Sequence, residues 1–298
     1  MELVDLLRNS PALFIVCAGV FGLLIGSFLN VVIYRLPRIM EIEWRAQCAE
    51  LGAGTAPAAA APAVATYNLV TPRSACPACG ARISALQNIP VVSWLALGGR
   101  CAHCRAPISV RYPLVELATA ILSALVAWRF GFGWEAACAL AITWTLVALT
   151  GIDLDTQLLP DGLTLPLLWL GLVAAACLGR GAASVPVDLK SAVLGAAFGY
   201  LSLWSIYHAF RLATGKEGMG YGDFKLYAAL GAWLGWQMLL PVILIAAASG
   251  ALLGVLMILL RRRARDVPIP FGPYLAVAGW LVMMWTHELV APWWLLAR

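Results

Sequence analysis

The sequence predicts an all-α polytopic membrane protein with about eight transmembrane helices and a small cytoplasmic zinc-binding domain between the first and second. Three observations carry this prediction. Hydrophobic residues make up 62% of the 298 residues and charged residues 12%, against about 45–50% and about 25% in soluble domains. Apolar runs long enough to cross a bilayer recur along the chain. The one sizeable polar stretch, between the first two runs, holds four of the eight cysteines in paired spacing.

The apolar runs fall near residues 11–34, 113–130, 135–152, 162–179, 189–211, 223–239, 241–260 and 272–292. The sixth and seventh are separated by almost nothing. The run from Pro11 to Tyr34 is followed by no small-residue cleavage site, so it reads as a retained helix and not a removed signal peptide. Residues 52–66, GAGTAPAAAAPAVAT, are low in complexity and read as a flexible linker. The domain organisation expected is a first transmembrane helix over 1–34, a cytoplasmic domain over 35–112 and a transmembrane core over 113–298.

Basic residues orient the spans. Placing 35–112 in the cytoplasm puts fifteen of the twenty Lys and Arg residues on that side, including Arg35, Arg38, Arg211, Lys216, Lys225 and Arg261 to Arg263. The positive-inside rule then puts both termini outside the cytoplasm, and 153–161 and 212–223 inside it. The net charge of +5 reflects these loops flanking apolar runs and not a nucleic-acid partner. The partner implied by composition is the lipid bilayer.

Cys76-Pro77-Ala78-Cys79 and Cys101-Ala102-His103-Cys104 form C-x2-C-x21-C-x2-C. Two-residue spacing turns both thiolates of a knuckle toward one ion, and two knuckles complete a tetrahedral sulfur shell suited to Zn2+. Four cysteines leave no open position, so the ion is structural and His103 is a bystander. Disulfides are the competing reading, disfavoured in a reducing cytoplasm. Cys17, Cys138 and Cys177 lie in apolar runs and read as ordinary thiols.

Two acidic clusters border apolar runs on the same side: Ile152-Asp153-Leu154-Asp155 through Asp161, and Gly218-Met219-Gly220-Tyr221-Gly222-Asp223. Carboxylates at membrane depth are rare and usually functional. Two aspartates brought within a few ångströms share a proton, and one then serves as base on water while the other polarises a carbonyl. Solvated carboxylates capping helix ends are the alternative, favoured for Asp155 and Asp161. Asp153 lies closest to the preceding apolar run, and on a helix Asp155 points about 200° away from it.

These stretches, with GSFLNVVIYRLP (26–37), NIPVVSWL (88–95), RYPLVE (111–116), IDLDTQLLPD (152–161), GKEGMGYGDFK (215–225) and PIPFGPYL (268–275), resemble the type IV prepilin leader peptidases over nearly the whole chain. The resemblance implies a GxGD-type intramembrane aspartic endopeptidase of the bacterial inner membrane, related in mechanism to presenilin. It implies Asp153 and Asp223 as the catalytic pair. It implies removal of a basic leader from prepilins and pseudopilins of type IV pilus and type II secretion systems. N-methylation of the new N-terminus with S-adenosyl-L-methionine would follow. The four-cysteine motif fits the family's zinc-bearing cytoplasmic domain. Gly220 and Gly222 are candidates for substrate contact and Glu116 for methyl transfer, with pairing to an arginine as the alternative for Glu116. No glycine-rich nucleotide fingerprint follows a strand, so the methyl-donor pocket is not read from motifs. Gly26, Ser27 and Asn30 read as packing positions, with substrate contact as the alternative. Two competing classes are a proton-coupled transporter, disfavoured because no acid lies mid-span in spans three to eight, and a zinc-organised non-catalytic scaffold of an assembly machine.

Overall fold

The computed structural model describes residues 2–52, 67–179, 185–260 and 270–285. The linker expected at 52–66, all but Gly52, and Arg261 to Arg263 lie outside these residues. The described residues are 76% helical and contain no sheet. Ten α-helices are present among the described residues: α1 (Glu2–Asn9), α2 (Pro11–Gly52), α3 (Val92–Ala96), α4 (Arg111–Phe130), α5 (Trp134–Thr156), α6 (Asp161–Leu178), α7 (Leu189–Thr214), α8 (Tyr221–Leu234), α9 (Leu239–Leu259) and α10 (Gly272–Met284).

Each of the eight expected spans corresponds to one helix, α2 and α4 to α10, the part of the eighth beyond residue 285 lying outside the described residues. Six of these are long and apolar enough to cross a membrane. The exceptions are α8, 14 residues long, and α10, 13 residues. At about 1.5 Å per residue each is about 20 Å long, short of a hydrocarbon core of about 30 Å. Helix α2 in turn runs beyond its apolar stretch, through Pro37 to Gly52. The uncertain sixth boundary falls at Gly235, whose φ of +84° ends α8.

The chain divides into two compact units, residues 1–15 with 125–298, and residues 16–124. In the larger unit the organising element is α8. Eleven of its 14 residues are buried, from Asp223 and Phe224 to Leu234. A helix apolar and buried on every side is a core element and not a lipid-facing span. It packs chiefly against α7 and α6, then against α10.

Glycines make that burial possible. Where α7 crosses α8, a Cβ on Gly195 would stand 2.1 Å from the Gly231 carbonyl oxygen, and one on Gly231 would stand 2.2 Å from that of Gly195. The backbones therefore touch, the close approach that small residues give membrane helices. On α6, Gly171 makes room for the Trp233 indole, whose Nε1–H donates to the Leu167 carbonyl at 2.8 Å. The Tyr227 hydroxyl donates to the Leu239 carbonyl at 2.6 Å, satisfying its one polar atom inside the core.

In the smaller unit, Gly19, Gly22 and Gly26 of α2 face α4. Cβ atoms added at Gly22 and Gly26 would meet Ser123 at 2.6 Å and the Glu116 Cα at 2.7 Å. Asn30 Nδ2 donates to the Tyr112 carbonyl, so Gly26 and Asn30 are used for packing here. The buried Arg35 guanidinium donates to the carbonyls of Asn68 and Pro72, tying the middle of α2 to the chain that follows the linker.

A valine at position 231 has no space to enter. Gly231→Val is expected to destabilise the protein by about 3 kcal/mol or more, read as a lower unfolding midpoint in detergent, whereas Gly162→Ala, with open space around it, does not lower the midpoint.

Candidate active site

Asp153 and Asp223 are brought together. Asp153 lies in the last turn of α5, which ends where Gln157 adopts a left-handed φ of +55° and donates its N–H to the Asp153 carbonyl. Three residues later Pro160 precedes Asp161, the first residue of α6. Asp223 is the third residue of α8. Both side chains are buried, at 4% and 7% exposure, and the two carboxylates interact electrostatically.

Backbone donors hold each carboxylate. The Gly220 N–H, at the N-cap of α8, donates to the Asp223 carboxylate, an N3-to-N-cap bond of the kind that closes a capping box. The Gly272 N–H, at the start of α10, donates to Asp153. Two helix N-termini thus direct their partial positive charge at the pair. Beyond these donors, Asp153 Oδ2 and Asp223 Oδ1 are buried without a hydrogen-bond partner. Buried polar atoms are almost always paired, so two orphaned carboxylate oxygens in one place mark a site prepared for something else.

The glycines before Asp223 act through space and not through unusual dihedral angles. None of Gly218, Gly220 and Gly222 has a positive φ. A Cβ on Gly222 would stand 2.6 Å from the Leu159 Cβ, so Gly222 lets the start of α8 close against the α5–α6 connection. Gly220 has only Asp223 Oδ2, at 3.7 Å, near its Cβ direction.

The other acids of the region behave differently. Asp155 is exposed on the opposite side of α5. Asp161 accepts both its bonds from Lys225 Nζ, at 2.6 and 2.7 Å, linking the first turns of α6 and α8. Arg211 and Glu217 approach to 3.9 Å at the exposed end of α7. An aromatic group comprising Tyr200, Tyr207, Tyr221 and Phe224 braces the first turn of α8, with ring centroids 5.4–6.0 Å apart. His208 stacks on Trp204 at 4.3 Å. The Tyr207 contribution was not read from sequence, because aromatic residues at helical spacing look like any apolar face.

In the smaller unit the sulfurs of Cys76, Cys79, Cys101 and Cys104 lie within 4.8 Å of one another, with Cys76 and Cys104 at 3.8 Å. Tetrahedral zinc with Zn–S bonds of about 2.3 Å requires sulfurs about 3.8 Å apart, so the donor set fits the ion. The knuckles repeat one hydrogen-bond pattern: Gly80 N–H to the Cys76 carbonyl and Cys76 N–H to Ala81, then Arg105 N–H to Cys101 and Cys101 N–H to Ala106. Gly80 and Arg105 occupy the matching left-handed position, φ +70° and +60°. Backbone N–H groups of Cys104 and His103 pull the Cys101 thiol down to about 6. The Ala81 N–H favours the Cys79 thiolate, but desolvation and the neighbouring thiols outweigh it and push Cys79 up to about 11. Protein donors alone therefore do not ionise all four sulfurs, whereas a divalent cation would. All eight cysteines are free of disulfides.

Glu116 is buried and partnered. Its Oε2 accepts the Val91 N–H at 2.7 Å, and its carboxylate also bonds the Ser27 side chain. Val91 has φ +60° and ψ −49°, and the Val92 N–H closes back on the Pro90 carbonyl. That is a γ-turn, a strained conformation for a β-branched residue, and Glu116 holds it.

Residues 20–130 match the Bacterial Peptidase A24 N-terminal domain, and residues 140–255 match the Type IV leader peptidase family. The chain is 55% identical over 289 residues to the prepilin leader peptidase/N-methyltransferase of Pseudomonas aeruginosa, covering 97% of this chain and 96% of that one. It is 51% identical over 298 residues to the protein of that name from Stutzerimonas stutzeri, covering both chains completely. It is 53% identical over 293 residues to that from Aeromonas hydrophila, covering 96% of each. No solved structure matches the chain. A multi-pass membrane protein with a buried pair of aspartates and a separate tetracysteine cluster, it belongs to the type IV leader peptidase family.

Proposed function

We propose that the protein removes the basic leader peptide from type IV prepilins and pseudopilins and N-methylates the N-terminus so exposed. It would serve pilus biogenesis and type II secretion. The observation that carries the reading is the buried pair, Asp153 with Asp223, each steadied by a helix-start N–H and each keeping an unpartnered oxygen.

In this reading the two carboxylates share a proton. The ionised one removes a proton from water, which attacks the scissile carbonyl, while the protonated one donates a hydrogen bond to the carbonyl oxygen. The proton then passes to the departing amine. Asp153 and Asp223 both lie within a few residues of a helix end, so the scissile bond is met at the border of the bilayer and not at its centre. The basic-residue distribution supports the cytoplasmic side for that border, and the membrane in this reading is the bacterial inner membrane.

The division of labour follows the chain: residues 1–34 as the first transmembrane helix, 35–112 as the cytoplasmic domain and 113–298 as the peptidase core. Cys76, Cys79, Cys101 and Cys104 hold a structural zinc ion, which supplies folding energy and no chemical step. S-adenosyl-L-methionine would supply the methyl group. Glu116, through the γ-turn it holds at Val91, would shape the part of the smaller unit concerned with methyl transfer. A non-catalytic scaffold would have no use for two buried and partly unsatisfied carboxylates, and a transmembrane proton relay would need acids deeper in the spans.

Asp153→Asn and Asp223→Asn are each expected to lower prepilin cleavage by about 10²–10⁴-fold without lowering the unfolding midpoint, scored by the mobility shift of a prepilin in detergent. Full-rate cleavage by either variant would remove the pair from the mechanism. The double variant Cys76→Ser with Cys101→Ser is expected to lose bound zinc by elemental analysis and to methylate poorly; unchanged zinc content would refute the tetrathiolate site.

A further inference from the structure

We infer that Gly272 is a positioning residue for the proposed peptidase reaction, its N–H fixing the Asp153 carboxylate and its missing side chain leaving the room that carboxylate occupies. The inference rests on the reading of Asp153 as one of the two catalytic acids.

The start of α10 offers one free donor. A helix leaves its first N–H groups without intrahelical partners, but here the Tyr274 and Leu275 N–H groups both return to the Phe271 carbonyl. Pro273 has no N–H to give. Gly272 is left, and its N–H goes to the Asp153 carboxylate. The proline thus removes the neighbouring donor that would compete for the acid, and the positive end of α10 faces a single oxyanion.

Space gives a second and independent reason. A Cβ at position 272 would stand 2.6 Å from Asp153 Oδ2, 3.2 Å from its Cγ and 3.2 Å from Leu159 Cδ1. Asp153 Oδ2 is one of the two buried oxygens without a partner. The Asp153 main chain cannot retreat, because its carbonyl is held by Gln157. A methyl group at 272 is therefore relieved most cheaply by rotating the carboxylate out of place. The backbone itself would accept alanine: Gly272 has no positive φ, and alanine favours a helix more than glycine does. The requirement for glycine comes from the acid and not from α10.

The experiment compares wild type, Gly272→Ala and Asp153→Asn, purified in detergent, on a prepilin. Gly272→Ala is expected to lose about 100-fold in kcat, the scale of an ångström's misplacement of a reacting group, with KM and the unfolding midpoint unchanged. A Gly272→Ala enzyme with wild-type kcat overturns the inference. If Asp153→Asn is then inactive, the peptidase reading stands without Gly272; if it too is active, that reading falls as well. Should Gly272→Ala fail to fold, wild type labelled with ¹³C-carbonyl phenylalanine and ¹⁵N-glycine isolates the five Phe-Gly amides, and loss of one peak in Phe271→Leu assigns Gly272. Asp153→Asn is expected to move that amide proton upfield, and an unmoved peak overturns the inference.

Discussion

Keeping two carboxylates side by side and out of water is the constraint on which the larger unit depends. Burial penalises each charge, and proximity penalises the second one further. The compensation comes from backbone geometry, since no cationic side chain among the described residues bonds either acid: Lys225, two residues from Asp223, is committed to Asp161. Instead the first turns of α8 and α10 supply one N–H each. A fixed backbone dipole favours an anion without neutralising it, which a bound lysine or arginine would do.

That solution demands close approach, and close approach demands glycine. Gly222 lets α8 reach Leu159, Gly272 lets α10 reach Asp153, and the Gly195–Gly231 contact lets α8 sink between its neighbours. The helix bearing Asp223 is consequently short and enclosed, and its hydrophobicity serves a protein core. Tyr227 and Trp233 spend their polar atoms on carbonyls of the surrounding chain, which orients the same helix along its length.

The smaller unit obeys a separate logic. Its cysteine-bearing chain has little regular secondary structure, two isolated β-bridges, a single 3-10 turn and the five-residue α3, so the tetracysteine cluster and a few polar anchors stand where a larger domain has a hydrophobic core. Arg35 grips the chain before the first knuckle, Glu116 grips it between the knuckles, and the Trp94 indole N–H donates to the Ile108 carbonyl after the second. A carboxylate within an apolar helix, which invites a chemical reading, here secures a strained turn.

Composition and periodicity are enough to locate the apolar helices, α2 and α4 to α10, because long apolar runs are a local property of the chain. Cysteine spacing likewise announced the four-sulfur cluster, since two residues between thiols decide locally which way the sulfurs face. The contrast between Asp153 and Asp155 was also legible, being a matter of helical phase. What no local pattern could reveal is which apolar helix lies inside the others: α8 and a lipid-facing span have the same composition, and only the neighbours distinguish them. Nor could sequence assign the glycines. Those before Asp223 have ordinary dihedral angles, and the value of Gly222 is the absent side chain that would meet Leu159. Gly272 stands 119 positions from Asp153, and its purpose exists only where folding sets the start of one helix against the end of another.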